Sequence, residues 1–513
     1  MTFFESLLIL LLTAIVLLQV SRRLLLPYPA LLAIAGIAVA FIPGSPAISF
    51  DPDTALALFI APAVAYAAFD FSPRAIRRFW RPLVSLVFFA VVITTALVAW
   101  IGWKFMGLPV AAAIALGAIV APPDAAAAMA VLSSVSIPRS TNAVLKGESL
   151  FNDATALLLF SAALAVLSHG ALTLGVGLRI AFAIPGGLLL GFGCALTIRR
   201  LSRFVKNTLG GNLLQLVMAF LIWIVAEHLR VSAVLCTIAF AMTMARTAKL
   251  KGMTRMRVHS HAVWNAVVFS LNVFAFFLMG LQGRAIVTRM PPAHLKESLT
   301  SAALVVMAVV IARLIVALSL SRLNAWWERS HGRPEPVTWR QAVLVGWSGM
   351  RGFVTLATAF ALPASFPQRD LVVLAAFSVV FATLVLQGLT LTPVIRLLRL
   401  NQADVAQREL ADARTRLAKV ALTALAEQTG PEVEHLRYGY LIQRDATDNL
   451  PGVHPLQKRR EVGLAAILAA REELERLQKE DLVGADTYLR LQEELDWNEL
   501  MLLRDEERRI EES

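Results

Sequence analysis

Charged residues and cysteines are both scarce in this sequence. Only 16% of its 513 residues are Asp, Glu, Lys or Arg, well below the roughly 25% of a typical soluble domain. The two cysteines, Cys194 and Cys236, lie in apolar runs, which indicates small buried side chains rather than a disulfide or a metal site. There is no metal-ligand spacing, nucleophile–base pair or phosphate-binding loop. These shortages argue against an enzyme or a cofactor and predict a polytopic membrane protein.

The excess of basic residues, a net charge of +12, could suggest nucleic acid as a partner. The basic residues instead form short clusters between apolar runs. That distribution is typical of cytoplasmic loops under the positive-inside rule. The partner that the charge pattern indicates is therefore the lipid bilayer, not nucleic acid.

Apolar runs long enough to cross a bilayer predict about thirteen transmembrane helices. The runs lie at approximately 3–20, 26–43, 54–71, 82–103, 109–134, 141–168, 172–198, 209–228, 231–245, 262–282, 299–321, 341–363 and 371–395. The third run is weak and the ninth is short. The first has no basic segment before it and no convincing cleavage site, so we expect it to be a retained span.

The connections that follow odd-numbered runs carry most of the basic residues, among them Arg22, Arg77 and Arg199. This asymmetry predicts an external N-terminus and a cytoplasmic C-terminus, as an odd number of spans requires. One connection departs from it, because it carries Arg284, Arg289 and Lys296.

Two runs are interrupted at corresponding positions. If runs one to six form one unit and the seventh is a linker, runs eight to thirteen form an inverted repeat of the first six. The fifth run contains Ala-Pro-Pro-Asp-Ala at 121–125, and the twelfth contains Gly-Trp-Ser-Gly-Met-Arg-Gly at 346–352. Proline and glycine break helices and free backbone carbonyls that can ligate an ion. We therefore predict two inverted six-helix repeats with broken, crossing helices at spans 5 and 12, the usual position of a transport site.

The composition changes after about residue 400 to charged sequence rich in Ala, Leu, Glu and Arg. We predict a transmembrane domain over 1–400 and a cytosolic α-helical domain over 401–513. This second domain either stabilises packing or a dimer, or has a regulatory role.

The sixth run places two carboxylates at membrane depth, in Gly-Glu-Ser-Leu-Phe-Asn-Asp at 147–153. Such groups are costly there unless they bind something, are paired or are protonated. On a helix Ser149 and Asp153 share a face, whereas Glu148 and Asp153 diverge by about 140°. We assign Asp153 to a cavity and Glu148 to a structural ion pair, with Arg351 as the expected partner and Arg313 as the second candidate.

Asp153 and Asp124 belong to adjacent spans, so both can face one cavity. Their oxygens, the Ser149 hydroxyl and the Pro123 carbonyl suit a small hard cation such as Na⁺ or Li⁺. A carboxylate there can hold either a cation or a proton, and competition between the two is sufficient for exchange. The alternative is a pair of buried aspartates that backbone donors satisfy.

These motifs resemble the type 1 group of monovalent cation:proton antiporters, which includes the bacterial sodium/proton exchangers. The resemblance covers about residues 1–400 and includes Phe-Leu-Met-Gly-Leu at 277–281, after Asn272, and Gly-Met-Arg-Gly at 349–352, before Ala-Leu-Pro at 361–363. It implies a secondary transporter, not an enzyme, that works by alternating access as a homodimer in the cytoplasmic membrane. Its substrates would be H⁺ and Na⁺, Li⁺ or K⁺.

The resemblance also implies roles for individual residues. It makes Asp153 and Asp124 ion ligands, helped by Ser149 and the Pro123 carbonyl, with Asn152 nearby. It implies a Glu148–Arg351 pair that secures the core helices. Electrogenic relatives carry aspartate at the position of Asn152, so the resemblance predicts electroneutral exchange of one cation for one proton.

Three residues depart from the family pattern. Pro123 replaces a threonine, and Ala233, after Ser232, replaces a glycine in the ninth span. Ala67 replaces a glutamate that some relatives carry in the third span, which leaves cation selectivity open. A potassium-preferring antiporter, a cation channel and a membrane sensor that signals through its C-terminal helices remain the alternatives. Broken helices in inverted halves favour a transporter over a channel, and the C-terminal region lacks a recognisable catalytic or nucleotide motif.

Overall fold

The computed structural model is helical throughout the part of the chain that it describes. It describes residues 3–24, 27–42, 52–132, 135–170, 174–201, 209–247, 254–288, 295–330, 338–445, 455–480 and 482–503. Within these ranges no β-strand occurs, which confirms the predicted all-α class. The chain divides into two compact units, Met1–Asn401 and Gln402–Glu512.

The first unit contains helices over each predicted apolar run. They are α1 Phe3–Leu24, α2 Tyr28–Ala40, α3 Pro52–Asp70, α4 Pro73–Val84, α5 Val91–Phe105, α6 Val110–Val120, α7 Ala125–Leu132, α8 Arg139–His169, α9 Leu174–Leu201, α10 Leu209–His228, α11 Ala233–Thr247, α12 Thr254–Thr288, α13 Leu295–Ser330, α14 Trp339–Trp347, α15 Phe353–Phe360, α16 Arg369–Ala382 and α17 Gly388–Leu397. A π-helical turn at Ser85–Ala90 joins α4 to α5, and another at Thr383–Gln387 joins α16 to α17.

Six continuous helices in the described residues are long and apolar enough to cross a bilayer. They are Arg74–Phe105, Arg139–Ser168, Gly177–Leu201, Ser260–Thr288, Lys296–Trp327 and Arg369–Leu397. Shorter apolar helices, such as Tyr28–Ala40 and Val110–Val120, lie among them. The first unit is thus a multi-pass membrane domain, and the count of thirteen crossings stays a prediction.

Two of the predicted runs are broken at the predicted places. The fifth run is α6 followed by α7, with Ala121 to Asp124 non-helical between them. Pro122 and Pro123 have no amide hydrogen to continue the helix. The twelfth run is α14 followed by α15, and its break contains Gly349 and Gly352, which lower helix propensity.

Glycines allow close approach of neighbouring helices in the first unit. A Cβ atom on Gly280 of α12 would lie 2.9 Å from the Cα of Gly36 on α2. Similarly, a Cβ on Gly117 of α6 would lie 2.9 Å from the Cα of Thr95 on α5. Small residues at such crossings let helix backbones touch, which strengthens packing in a membrane.

The exception to the charge pattern has a structural explanation. Arg284 lies inside α12, and its Nη1 donates to the carbonyl oxygen of Ala40 over 2.9 Å. It therefore binds a carbonyl at the C-terminal end of α2. Lys296 lies in the first turn of α13, whereas Arg289 lies outside the described residues. At least one of the three basic residues, Arg284, therefore forms a hydrogen bond inside the membrane unit.

The second unit consists of four described helices, α18 Ala403–Ala424, α19 Pro431–Asp445, α20 Pro455–Lys479 and α21 Ala485–Leu502. Arg471 of α20 binds both Asp496 and Glu499 of α21, each over 2.5 Å. The two partners are on one face of α21, because they are three residues apart. These ion pairs join α20 to α21 as a helical hairpin.

Candidate ion-binding site

The polar cluster of the sixth run is buried in the middle of α8. Glu148, Asn152 and Asp153 are 1%, 0% and 9% exposed. Ser149 is half-buried, one helical turn before Asp153. Polar groups buried this deeply need partners, and those partners lie on the broken helix α6–α7 and on α13.

The two broken helices contact each other directly at their breaks. The backbone amide of Asp124, between α6 and α7, donates to the carbonyl oxygen of Met350, between α14 and α15, over 2.7 Å. Gly352 contacts the same aspartate, because a Cβ atom at this position would overlap the Asp124 carboxylate. Only a glycine leaves room for the carboxylate there.

The Asp124 carboxylate lies where two helices begin. Its Oδ1 accepts a hydrogen bond from the backbone amide of Ala126 over 2.8 Å, as an N-cap residue does. The amides of Ala127 and of Phe353, the first residue of α15, also face it. The positive ends of α7 and α15 therefore both favour a negative charge at Asp124. These donors are the backbone donors of the alternative interpretation, and they leave carboxylate lone pairs for an ion.

Asn152 joins α8 to the first break. Its Nδ2 donates to the carbonyl oxygen of Pro123 over 2.9 Å in a buried environment. Its Oδ1 is buried and has no hydrogen-bond partner among the described residues. This bond brings the Asn-Asp pair of α8 next to the Pro-Asp pair of the break.

The structure therefore brings together most of the predicted ligand set. Asp153 and Asp124 are close enough for their charges to interact, and Asn152 contacts Pro123. Ser149 shares the predicted face of α8, but no described contact joins its hydroxyl to either aspartate. The arrangement offers hard oxygen atoms and a net negative charge, which suits a monovalent cation or a proton.

The expected Glu148–Arg351 ion pair is wrong. Both oxygens of Glu148 bind Arg313 of α13: Oε1 accepts from Nη1, and Oε2 accepts from Nη2 over 2.6 Å. Both side chains are 2% exposed. Arg313 was the second candidate, and its planar fork gives the carboxylate two parallel hydrogen bonds.

Arg351 has a different role, which explains the error. Its Nε donates to the carbonyl oxygen of Val120 over 3.0 Å, and its Nη2 donates to that of Ala121 over 3.1 Å. Its Nη1 donates to the carbonyl of Gly349. The last carbonyls of a broken helix lack intrahelical donors, so a buried guanidinium can be satisfied by backbone oxygens alone. Arg351 thus holds the end of α6 against the break of the other helix.

Thr383 is a part of this region that the sequence reasoning missed. Its Oγ1 accepts a hydrogen bond from the backbone amide of Arg351 over 3.0 Å. It lies 32 residues after Arg351, much as Asn152 lies 29 residues after Pro123. At each break, a side chain of the following apolar run therefore binds the backbone. A search for polar residues at matched distances from the two breaks could have found it.

Comparison with known proteins identifies the family. The sequence model of the family described as "Sodium/hydrogen exchanger, transmembrane" matches residues 7–397. An uncharacterized Na(+)/H(+) exchanger of Mycobacterium tuberculosis is 30% identical over 504 residues, covering 93% of this chain and 92% of the relative. A protein of Bacillus pumilus named "Sodium, potassium, lithium and rubidium/H(+) antiporter" is 28% identical over 499 residues, covering 91% of this chain and 73% of the relative.

A solved structure has the same fold. The sodium proton antiporter from Methanocaldococcus jannaschii, determined at pH 8, superposes with a TM-score of 0.61 at 17% identity. The match covers 78% of this chain and 99% of that one. Because the family model spans nearly the whole membrane unit, this chain belongs to the transmembrane sodium/hydrogen exchanger family of cation/proton antiporters.

Proposed function

We propose that this chain exchanges Na⁺ for H⁺, one for one, across the cytoplasmic membrane by alternating access. Asp153 and Asp124 hold either the cation or the proton, but not both. Ser149 and the carbonyl of Pro123 complete the ligand set, with Asn152 fixing the Pro123 carbonyl. That carbonyl accepts one bond from Asn152 and retains a second lone pair for an ion.

The balance of charges around the two contacting breaks carries this proposal. The described ionisable side chains around the two breaks are three carboxylates and two guanidiniums. The carboxylates belong to Glu148, Asp124 and Asp153, and the guanidiniums to Arg313 and Arg351. With all five ionised, three negative charges and two positive charges leave one negative charge. One proton or one monovalent cation neutralises it, whereas charge left uncompensated in a membrane is costly. Competition for a single compensating charge supports electroneutral exchange.

The proposal includes an architecture of thirteen crossings in two inverted six-helix repeats. The matched bonds of Asn152 and Thr383 to the two breaks support it, because an inverted repeat places equivalent polar groups beside equivalent breaks. It places the N-terminus outside and the C-terminus in the cytoplasm. It also divides the chain into a membrane domain over 1–400 and a cytosolic domain over 401–513, in a homodimer.

For cation selectivity, the second candidate is an antiporter that accepts several monovalent cations. The Bacillus pumilus relative is named for sodium, potassium, lithium and rubidium, which favours broad selectivity among monovalent cations as the second candidate. Hard oxygen ligands bind all of these ions, and the size of the cavity discriminates among them. We expect Na⁺ and Li⁺ to be exchanged at a lower concentration than K⁺.

The test is dissipation of a pH gradient in proteoliposomes that contain the purified protein. We expect added Na⁺ to dissipate the gradient at a rate that an imposed membrane potential does not change. Asp153→Asn should abolish this exchange, because a neutral amide cannot alternate between a proton and a cation. Asp70→Asn is the matched control, since the exposed Asp70 pairs with Lys146 at the surface. Exchange that persists in Asp153→Asn would overturn the site, and sodium flux without counter-moving protons would indicate a channel.

A further inference from the structure

Gln387 is an unexplained polar residue in the membrane unit. Its side chain is 0% exposed, and neither Oε1 nor Nε2 has a hydrogen-bond partner among the described residues. It is the last residue of the π-helical turn Thr383–Gln387. Buried unsatisfied groups are rare in native proteins and often mark a bound water or a functional position. Single π-helical turns within α-helices also occur frequently at functional sites.

The threonines on either side of Gln387 in this helix are satisfied by nearby carbonyls. Thr383 donates from Oγ1 to Val379 over 2.8 Å, and Thr390 donates from Oγ1 to Leu386 over 2.5 Å. Threonine hydroxyls commonly bind carbonyls three or four residues earlier in a helix. Gln387 lies between these threonines but has no such bond. Its amide is therefore available for a molecule that is not part of the chain.

The turn that contains Gln387 is next to the broken helix α14–α15. Thr383 Oγ1 accepts a hydrogen bond from the backbone amide of Arg351 at the break. On the other side of Gln387, a Cβ atom at Gly388 would lie 3.6 Å from the sulfur of Met350 and 3.9 Å from the Cβ of Ala30. The turn thus lies between α2 and the break, against apolar atoms that cannot satisfy an amide.

We propose that Gln387 binds a buried water molecule beside the break of α14–α15, and that it is a positioning residue for the exchange. The role in exchange rests on the proposed function, whereas the water site does not. An amide presents an acceptor and donors together, and a water molecule can satisfy both. A bare cation would satisfy only Oε1 and leave Nε2 unpaired. Water beside a π-helical turn can also replace backbone hydrogen bonds when the segment moves.

The water site is tested by hydroxyl-radical footprinting of the purified protein, which labels side chains next to ordered water. Met350 is 1% exposed, and Met279 of α12, which is 2% exposed, is the control. We expect Met350 to be oxidised several-fold faster than Met279 in the parent. In Gln387→Leu this difference should disappear. Equal labelling of the two methionines in the parent would overturn the water site.

The positioning role is tested with Gln387→Leu and a matched variant. Thr237→Val also removes a buried polar group, a hydroxyl that lacks a partner among the described residues, in the uninterrupted helix α11. Neither change should lower the thermal midpoint, because neither leaves another group of the protein without its hydrogen-bond partner. Gln387→Leu alone should reduce the maximum exchange rate about tenfold, with the KM for the cation unchanged. Gln387→Asn should recover part of the rate.

Parent-like exchange in Gln387→Leu would overturn the positioning role. A parent protein that shows no cation/proton exchange would contradict the proposed function instead. The footprinting result decides the water site in either case, including the case in which Gln387→Leu does not fold, because the parent alone provides the comparison with Met279.

Discussion

Asn152 donates a hydrogen bond from Nδ2 to the carbonyl oxygen of Pro123 over 2.9 Å, and both residues are buried. The bond joins α8, which carries Asp153, to the break that carries Asp124. Pro123 cannot continue α6 because it lacks an amide hydrogen. Asn152 therefore fixes the distance between the two helices that supply the aspartates.

Loss of this bond should weaken cation binding. In Asn152→Ala we expect a KM for Na⁺ about tenfold higher, because the Pro123 carbonyl is no longer oriented. Removal of one buried hydrogen bond should also lower the free energy of unfolding by about 1 kcal/mol. Exchange rates in proteoliposomes at several Na⁺ concentrations, together with thermal unfolding in detergent, measure both effects.

Asn152→Asp gives a sharper comparison at the same position. A carboxylate cannot donate to a carbonyl, and it adds a negative charge beside Asp153 and Asp124. We expect a larger loss of electroneutral exchange than in Asn152→Ala. Exchange with the parent KM in either variant would contradict the proposed role of the bond.

The Glu148–Arg313 pair should be required for stability. Arg313→Gln leaves the Glu148 carboxylate buried without the guanidinium that is hydrogen-bonded to it. Breaking a buried pair in this way costs about 3–5 kcal/mol, so we expect a large decrease in the thermal midpoint. The double variant carries both Glu148→Gln and Arg313→Gln. Its thermal midpoint should decrease less than that of Arg313→Gln alone, because the buried carboxylate is then absent.

The surface pair Asp70–Lys146 provides the control. Its side chains are 54% and 38% exposed, and exposed pairs contribute about 0–1 kcal/mol. Lys146→Gln should therefore leave the thermal midpoint almost unchanged. If Arg313→Gln is as stable as Lys146→Gln, the buried pair does not have the stabilising role that its geometry indicates.

The sequence predicted the helices and the breaks more reliably than the side-chain pairing. Long apolar runs and helix-breaking residues such as Pro122 and Gly352 act locally, so their effect can be read from the chain. The partner of Glu148 depends on the rotation of α13 relative to α8, which no local pattern determines. Arg351 was paired incorrectly because free carbonyls at a helix end, such as those of Val120 and Ala121, are invisible in the sequence. Thr383 was missed because a lone threonine in an apolar run has no distinctive signal.

Arg351 should not be replaceable by lysine. Its guanidinium donates to two adjacent carbonyls, those of Val120 and Ala121, from separate nitrogen atoms. A lysine ammonium is a compact point charge that cannot reproduce this planar fork. We expect Arg351→Lys to lower the free energy of unfolding by about 1–3 kcal/mol, because buried carbonyls lose their donors. Thermal unfolding measures this decrease in stability. Arg340→Lys, at the exposed start of α14, is the control. Equal midpoints in the two variants would contradict this role.

Gly352→Ala should impair exchange without unfolding the protein. The new Cβ would overlap the Asp124 carboxylate, so the carboxylate must rotate away and lose its bond from the Ala126 amide. We expect the rate of Na⁺-driven dissipation of a pH gradient to fall by about tenfold or more. Gly193→Ala is the matched control, because nothing lies within 4 Å of its Cβ position in α9. In a helix that change should leave exchange intact and raise stability by up to about 1 kcal/mol. Because both variants add one methyl group to a glycine, equal exchange rates would show that close contact between Gly352 and Asp124 is not needed for transport.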